Sequence, residues 1–179
     1  MGSLKILSWN VNGLGDKIKR GVVSQYLKRL GPNIVLLQET HMMGNTYRAL
    51  DRGGYKMIAH AGYSSGARGV GIMVHKSLPI IIHKTHEDPW GRLVAISATI
   101  RGMNVNIYSI YVPPRLHEQA LLDTSALLLQ FPIGQTIIGG DFNLVADEDM
   151  DRTSRVTHRP WSSPLLDFME AMGLRDVWL

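Results

Sequence analysis

The sequence predicts a layered α/β protein, with two packed β-sheets and helices outside them. Three observations carry this expectation. Continuous apolar runs such as Ile34-Val35-Leu36-Leu37 and Thr136-Ile137-Ile138 have the pattern of strands covered on both faces. Between residues 55 and 111 several short strands follow one another, separated by turn residues. Apolar positions at helical spacing flank these strand runs. A chain of 179 residues is long enough for a substantial core and is read as one domain, 1–179.

The elements follow in order. Residues 4–9 read as the first strand. Ile18, Val22, Tyr26, Leu27 and Leu30 recur at helical spacing, and Gly31-Pro32 stops that helix. Residues 33–38 form a buried strand. Arg52-Gly53-Gly54 closes a polar stretch that is either helix or loop, and a strand over 55–60 follows. Residues 62–69 are a Gly/Ser-rich turn region. Strands over 70–75 and 80–84 are separated by Ser77-Leu78-Pro79. Strands over 93–100 and 105–111 flank Arg101-Gly102-Met103-Asn104, read as a hairpin turn. A helix over 116–130 ends at Phe131-Pro132, a strand covers 136–139, residues 147–158 are a polar loop, and a helix over 162–172 is capped by Gly173.

Composition excludes several chemistries. There is no cysteine, so disulfides, thiolate metal sites and cysteine nucleophiles are ruled out. An apolar fraction of 45% with 19% charged residues is that of a folded globular chain. No apolar run reaches the length of a membrane span, and none precedes a secretory cleavage site, so no membrane partner and an intracellular location are expected. A net charge of +4 mildly favours a polyanionic partner.

Four scattered segments end apolar runs in polar groups. Glu39 emerges from Val35-Leu36-Leu37, where a carboxylate is costly unless paired or bound to a cation; a hard ion such as Mg²⁺ suits it, and a strand-end salt bridge is the structural alternative. Asn10 and Asn12 follow Ile6-Leu7-Ser8-Trp9, and their amides can meet a hard cation, its waters or a phosphate, although Asn12-Gly13 also spells a turn. Asp141 and Asn143 follow Ile137-Ile138-Gly139-Gly140. A spacing of two on an extended segment would point both the same way, for an Asp to act on water and an Asn to stabilise a developing phosphorane. Tyr111 ends a strand before Val112-Pro113-Pro114, where its hydroxyl can reach a phosphate or simply pack. His41 follows Gln38-Glu39-Thr40, with structural and functional readings balanced; His83 and His86 lack a third zinc-type ligand and read as surface residues.

Taken together and in order, Leu7-Ser8-Trp9-Asn10-Val11-Asn12-Gly13-Leu14, Leu37-Gln38-Glu39-Thr40-His41, Gly69-Val70-Gly71-Ile72, Asn106-Ile107-Tyr108-Ser109-Ile110-Tyr111-Val112-Pro113, Gly140-Asp141-Phe142-Asn143 and Asp151-Arg152-Thr153-Ser154 resemble the endonuclease/exonuclease/phosphatase superfamily, and within it the endonuclease domain of long interspersed (non-LTR) retrotransposons. The resemblance implies a four-layered, DNase I-like α/β sandwich. It implies Glu39 and Asn10 at a Mg²⁺ ion (Mn²⁺ as the alternative), Tyr111 on the scissile phosphate, Asp141 acting on the attacking water or the leaving oxygen, Asn143 on the pentacovalent phosphorus, and Asn12 and Arg152 on the substrate. Two departures stand out. Pro114 follows Pro113 where family members often carry Asn or Ala. The family's Ser-Asp-His segment has no counterpart before Leu179, so the domain is expected to be incomplete at its C-terminus and to nick DNA feebly or not at all.

The implied function is that of a Mg²⁺-dependent hydrolase nicking DNA to leave 3′-hydroxyl and 5′-phosphate ends. It would act in the nucleus and prime the reverse transcriptase domain of the same polyprotein. The alternatives are a non-catalytic nucleic-acid-binding fragment and a phosphatase branch of the same superfamily.

Overall fold

The computed structural model describes residues 3–132, 134–144 and 164–177. In chain order the elements are β1 (Ile6–Asn10), α1 (Lys17–Leu30), β2 (Ile34–Gln38), a 3₁₀ helix (Gly44–Leu50), β3 (Tyr55–Ala61), β4 (Val70–His75), β5 (Ile80–Glu87), β6 (Leu93–Ile100), β7 (Met103–Tyr111), α2 (His117–Gln130), β8 (Gln135–Asp141) and α3 (Pro164–Ala171). They fall into two compact units. The first, Met1–Tyr111 with Phe131–Asp141, holds every strand and α1; the second, Val112–Gln130 with Phe142–Leu179, holds α2 and α3.

The first unit contains two mixed four-stranded sheets, ordered β1-β2-β4-β3 and β5-β6-β7-β8. In each, one edge pair is parallel: β1 with β2, and β7 with β8. The remaining neighbours are antiparallel. The strand period of two explains why β2 is apolar at consecutive positions. Ile34 and Leu36 join Ile72, Val94, Ile96 and Ile107 in the core between the sheets, whereas Val35 and Leu37 join Val23 and Leu27 of α1 on the outer face. Each such side chain contributes roughly 1.5–3 kcal/mol on burial.

Several expectations are refined. Helix α1 starts where the Asp16 side chain accepts from the Ile18 N–H, and ends at Gly31, whose φ of 61° lets its N–H return to the Leu27 carbonyl. Its buried face is Val23 and Leu27, not the wider stripe read from the sequence: Ile18, Val22, Tyr26 and Leu30 are exposed. The hairpin turn between β6 and β7 is shorter than the four residues expected. Arg101 and Gly102 both have positive φ, and Met103 and Asn104 already pair with Ile100 and Thr99. Strand β5 continues to Glu87, three residues beyond the expected 80–84.

Polar groups, Gln38 and Ser109 among them buried, tie the sheets together at one end. Gln38 Nε2 donates to Ser109 Oγ (3.1 Å), Ser109 Oγ donates to the Leu37 carbonyl (3.1 Å), and Ser8 Oγ donates to Gln38 Oε1 (3.4 Å). Strand β8 approaches closely there because Gly139 and Gly140 carry no Cβ. One on Gly139 would meet Leu36 Cδ1 and Ser8, and one on Gly140 would strike the Ile110 carbonyl oxygen. In the second unit, Leu165 and Phe168 of α3 and Ala120, Leu121, Thr124 and Leu127 of α2 are the buried positions. Gly173, with φ of 62°, follows α3 as a cap.

Candidate functional site

The parallel pairs place the site. Asn10 stands opposite Gln38 at the ends of β1 and β2, and Tyr111 stands opposite Asp141 at the ends of β7 and β8. All four strands finish at C-terminal ends, one parallel pair from each sheet, so chemistry written at four distant points in the chain arrives at one edge. Ligand sites in α/β sheets favour that edge.

Asn10 is the hub. Its Nδ2 donates to Glu39 Oε1 (2.9 Å) and to Asp141 Oδ2 (2.8 Å). Its Oδ1 accepts from the Asn12 backbone N–H (3.0 Å), which fixes the amide so that its donors face the carboxylates. Glu39 itself sits in the left-handed region with φ of 52°, as does His41 with φ of 53°. Such backbone costs of order 1–3 kcal/mol and clusters at functional sites. Neighbouring segments hold it in place: Gly13 N–H donates to the Glu39 carbonyl, Leu14 N–H to Thr40, Thr40 N–H to Gly69 and His41 N–H to Arg68. The His41 Nε2 lies 3.4 Å from Glu39 Oε2, and the imidazole packs over Gly13.

The Tyr111 hydroxyl is hydrogen-bonded to Glu39. Burial raises its pKa above the ordinary phenol value, the negative charges of Glu39 and Asp141 and the bond to Glu39 raise it further, and the Arg68 charge opposes them. The hydroxyl therefore stays protonated and is a donor.

Of the residues read from the sequence, Glu39, Asn10, Asp141 and Tyr111 come together. Asn12 contributes its backbone N–H to the cluster through Asn10, while its side chain is exposed on backbone with φ of 45°. Asn143 belongs to the second unit. Strand β8 has ended at Asp141 and Asn143 has φ of 48°, so the extended spacing expected for the pair does not hold; its amide donates to the Val112 carbonyl (2.9 Å). Arg152 lies outside the described residues. Sequence reasoning missed Arg68. Its one signal was a lone cation in the Gly/Ser-rich stretch.

The donor set suits a hard ion. Two carboxylates converge on a single amide nitrogen, and among the described residues no group of three His, Cys, Asp or Glu side chains forms a metal-binding cluster. Two neighbouring carboxylates are hard oxygen donors of the kind a divalent cation takes, whereas a zinc centre needs three or four protein ligands. Asn10, read from the sequence as lying at the ion with Glu39, turns its amide hydrogens to both carboxylates and orients them.

Residues 7–165 match the endonuclease/exonuclease/phosphatase family, and the chain belongs to it. Among its relatives, a Xenopus laevis protein described as transposon TX1 uncharacterized 149 kDa protein is 28% identical over 182 residues, covering 98% of this chain and 14% of that protein. The chain thus spans a small part of that relative's length. The fold is similar to the endonuclease domain of TRAS1, a telomere-specific non-LTR retrotransposon (TM-score 0.65, 16% identity, 96% of this chain and 71% of that one). It is also similar to the AP endonuclease LMAP from Leishmania major (TM-score 0.67, 17% identity, 94% and 66%). The DNase I-like α/β sandwich expected from the sequence is the fold of this chain.

Proposed function

We propose that this chain is a divalent-metal-dependent DNA endonuclease of the retrotransposon type, nicking one strand to leave a 3′-hydroxyl and a 5′-phosphate. The observation that carries the reading is the single Asn10 amide shared by Glu39 and Asp141. Support comes from the family and from a transposon relative that matches nearly the whole chain.

Glu39 and Asp141 would hold the ion, Mg²⁺ or Mn²⁺, which supplies positive charge to the non-bridging phosphate oxygens. Tyr111 donates its hydroxyl proton in a hydrogen bond near the scissile phosphate. Asp141 orients the attacking water and takes its proton as the water oxygen bonds to phosphorus. The bond from phosphorus to O3′ breaks, and O3′ takes a proton from solvent water and leaves as a hydroxyl. Asn12 would contact the substrate backbone. In its polyprotein the nick would act in the nucleus and supply the primer for a reverse transcriptase domain.

The test is a supercoiled-plasmid assay with the chain in excess over DNA. Slow, Mg²⁺-dependent formation of open circles that disappears in Glu39→Ala and with chelator is expected. Equal nicking by wild type and Glu39→Ala, or hydrolysis of a phospholipid or free phosphomonoester with plasmid left intact, would overturn the reading.

A further inference from the structure

Two loops beside the cluster carry exposed aromatic surface that none of the roles above uses. One spans residues 62–69 and the other 88–92. Tyr63 and Trp90, both more than two-fifths exposed, bring their rings together across the loops with centroids 6.4 Å apart. The Arg68 guanidinium lies over the Tyr63 ring, 4.5 Å from its centroid, and Nη1 donates to the Trp90 carbonyl (3.4 Å). Scattered exposed apolar residues are ordinary. Two rings and a guanidinium held in register are a built surface.

The surface is rigid by construction. Trp90 follows Pro89 in a turn closed by the Gly91 N–H to the Asp88 carbonyl (3.2 Å), with the Asp88 carboxylate accepting from the Arg92 N–H (3.0 Å). The loops lock where Gly69 N–H donates to the Gly91 carbonyl (3.0 Å); a Cβ on Gly91 would come within 2.9 Å of Tyr63 Cβ. Arg68 itself is held at φ of 59°. Rings already ordered lose little entropy when a ligand stacks on them. The surface is also tied to the carboxylates: the Arg68 carbonyl accepts from the His41 N–H (2.9 Å), and the His41 imidazole faces Glu39.

We infer that Trp90, Tyr63 and Arg68 form a stacking platform for an unpaired nucleotide of the substrate strand, flanking the phosphate handled by Glu39 and Asp141. Flat aromatic faces accept any base, and a guanidinium adds stacking and phosphate attraction. Among candidate occupants a polyanion fits best, because the cation on this surface is Arg68, the carboxylate of neighbouring Asp88 is engaged by Arg92, and the chain carries a net charge of +4. The inference rests on the proposed nuclease function and names the form of nucleic acid it takes: a locally unpaired strand in preference to a fully stacked duplex.

The experiment titrates the whole chain with a single-stranded oligodeoxythymidine in chelator, following tryptophan fluorescence, beside the same length of blunt duplex. Quenching by the single strand is expected, with affinity lowered roughly ten- to hundredfold in Trp90→Ala and Tyr63→Ala and largely kept in Trp90→Phe. Equal affinity of wild type and Trp90→Ala, or a Trp90-dependent fluorescence change with anionic vesicles and none with oligonucleotide, would overturn the platform. The two readings fail separately. Glu39-dependent plasmid nicking with unchanged Trp90→Ala binding removes the platform alone. Trp90-dependent quenching with Glu39-independent nicking removes the catalytic assignment and leaves the platform standing.

Discussion

Asn10 Nδ2 reaches Asp141 Oδ2 across 2.8 Å although the two residues are 131 positions apart. The same nitrogen serves Glu39. One neutral amide therefore sits between two carboxylates that would otherwise repel each other, and it can do so because β1 and β8 end at the same edge of facing sheets.

Replacing that amide tests its role. Asn10→Ala leaves the carboxylates unoriented and is expected to lower Mg²⁺ affinity and Mg²⁺-dependent nicking by roughly 10–100-fold, the usual effect of losing a group that orients metal ligands. Asn10→Asp places a third carboxylate there and is expected to raise the pH midpoint of Mg²⁺ binding. Calorimetric titration with Mg²⁺ reads both, and wild-type affinity in Asn10→Ala would contradict the assignment.

Metal binding should appear as stability. An ion bound only by the folded state adds about 2.7 kcal/mol at a hundred times its Kd. Thermal unfolding is expected to shift upward with Mg²⁺ and Mn²⁺ in wild type, and not in Glu39→Ala or Asp141→Ala. A shift of equal size in all three would place the ion elsewhere.

His60 makes the fold acid-sensitive. It is buried, with its Nε2 2.9 Å from Thr40 Oγ1, and burial pushes its pKa from 6.5 down to about 4. Between those values the unfolded chain binds the proton and the folded chain does not, so the stability is fully present above about pH 6.5 and is lost as pH falls toward 4. The loss amounts to at most about 3 kcal/mol. Denaturant melts across that range should show the slope, and His60→Gln should flatten it.

The paired glycines of β8 should respond differently to a methyl group. In Gly140→Ala the Cβ collides with the Ile110 backbone carbonyl, which cannot move without disturbing β7. Gly139→Ala meets the end of the Leu36 side chain, which is more compliant than a backbone carbonyl. Gly140→Ala is expected to cost several kcal/mol and Gly139→Ala about 1–2 kcal/mol. Chemical denaturation of the two variants decides it, and equal costs would refute the distinction.

Much of the fold was legible because its signals are local. The continuous apolar run of β2, the Gly31 stop of α1 and the helical spacing of α2 each depend on neighbours a few positions away. The errors have local causes too. The α1 stripe included Ile18 and Val22 because spacing reports a face without showing what covers it, and the β6–β7 turn was read as four residues because two positive-φ residues can close a hairpin that composition makes look longer. At the site, Glu39, Asn10, Tyr111 and Asp141 were marked by polar residues ending apolar strands. Arg68 carried no such mark, since its place comes from a loop folding back onto His41.

By itself the sequence determined which residues could do phosphate chemistry and that each ends an apolar run, since residue type and apolar pattern are properties of short segments. The tertiary structure decided that β1 and β2 end beside β7 and β8, that Asn10 turns its donors to both carboxylates, and that Trp90, Tyr63 and Arg68 share one surface. Those facts depend on strand pairings and loop contacts between distant parts of the chain, which free energy of packing selects and local spacing does not encode.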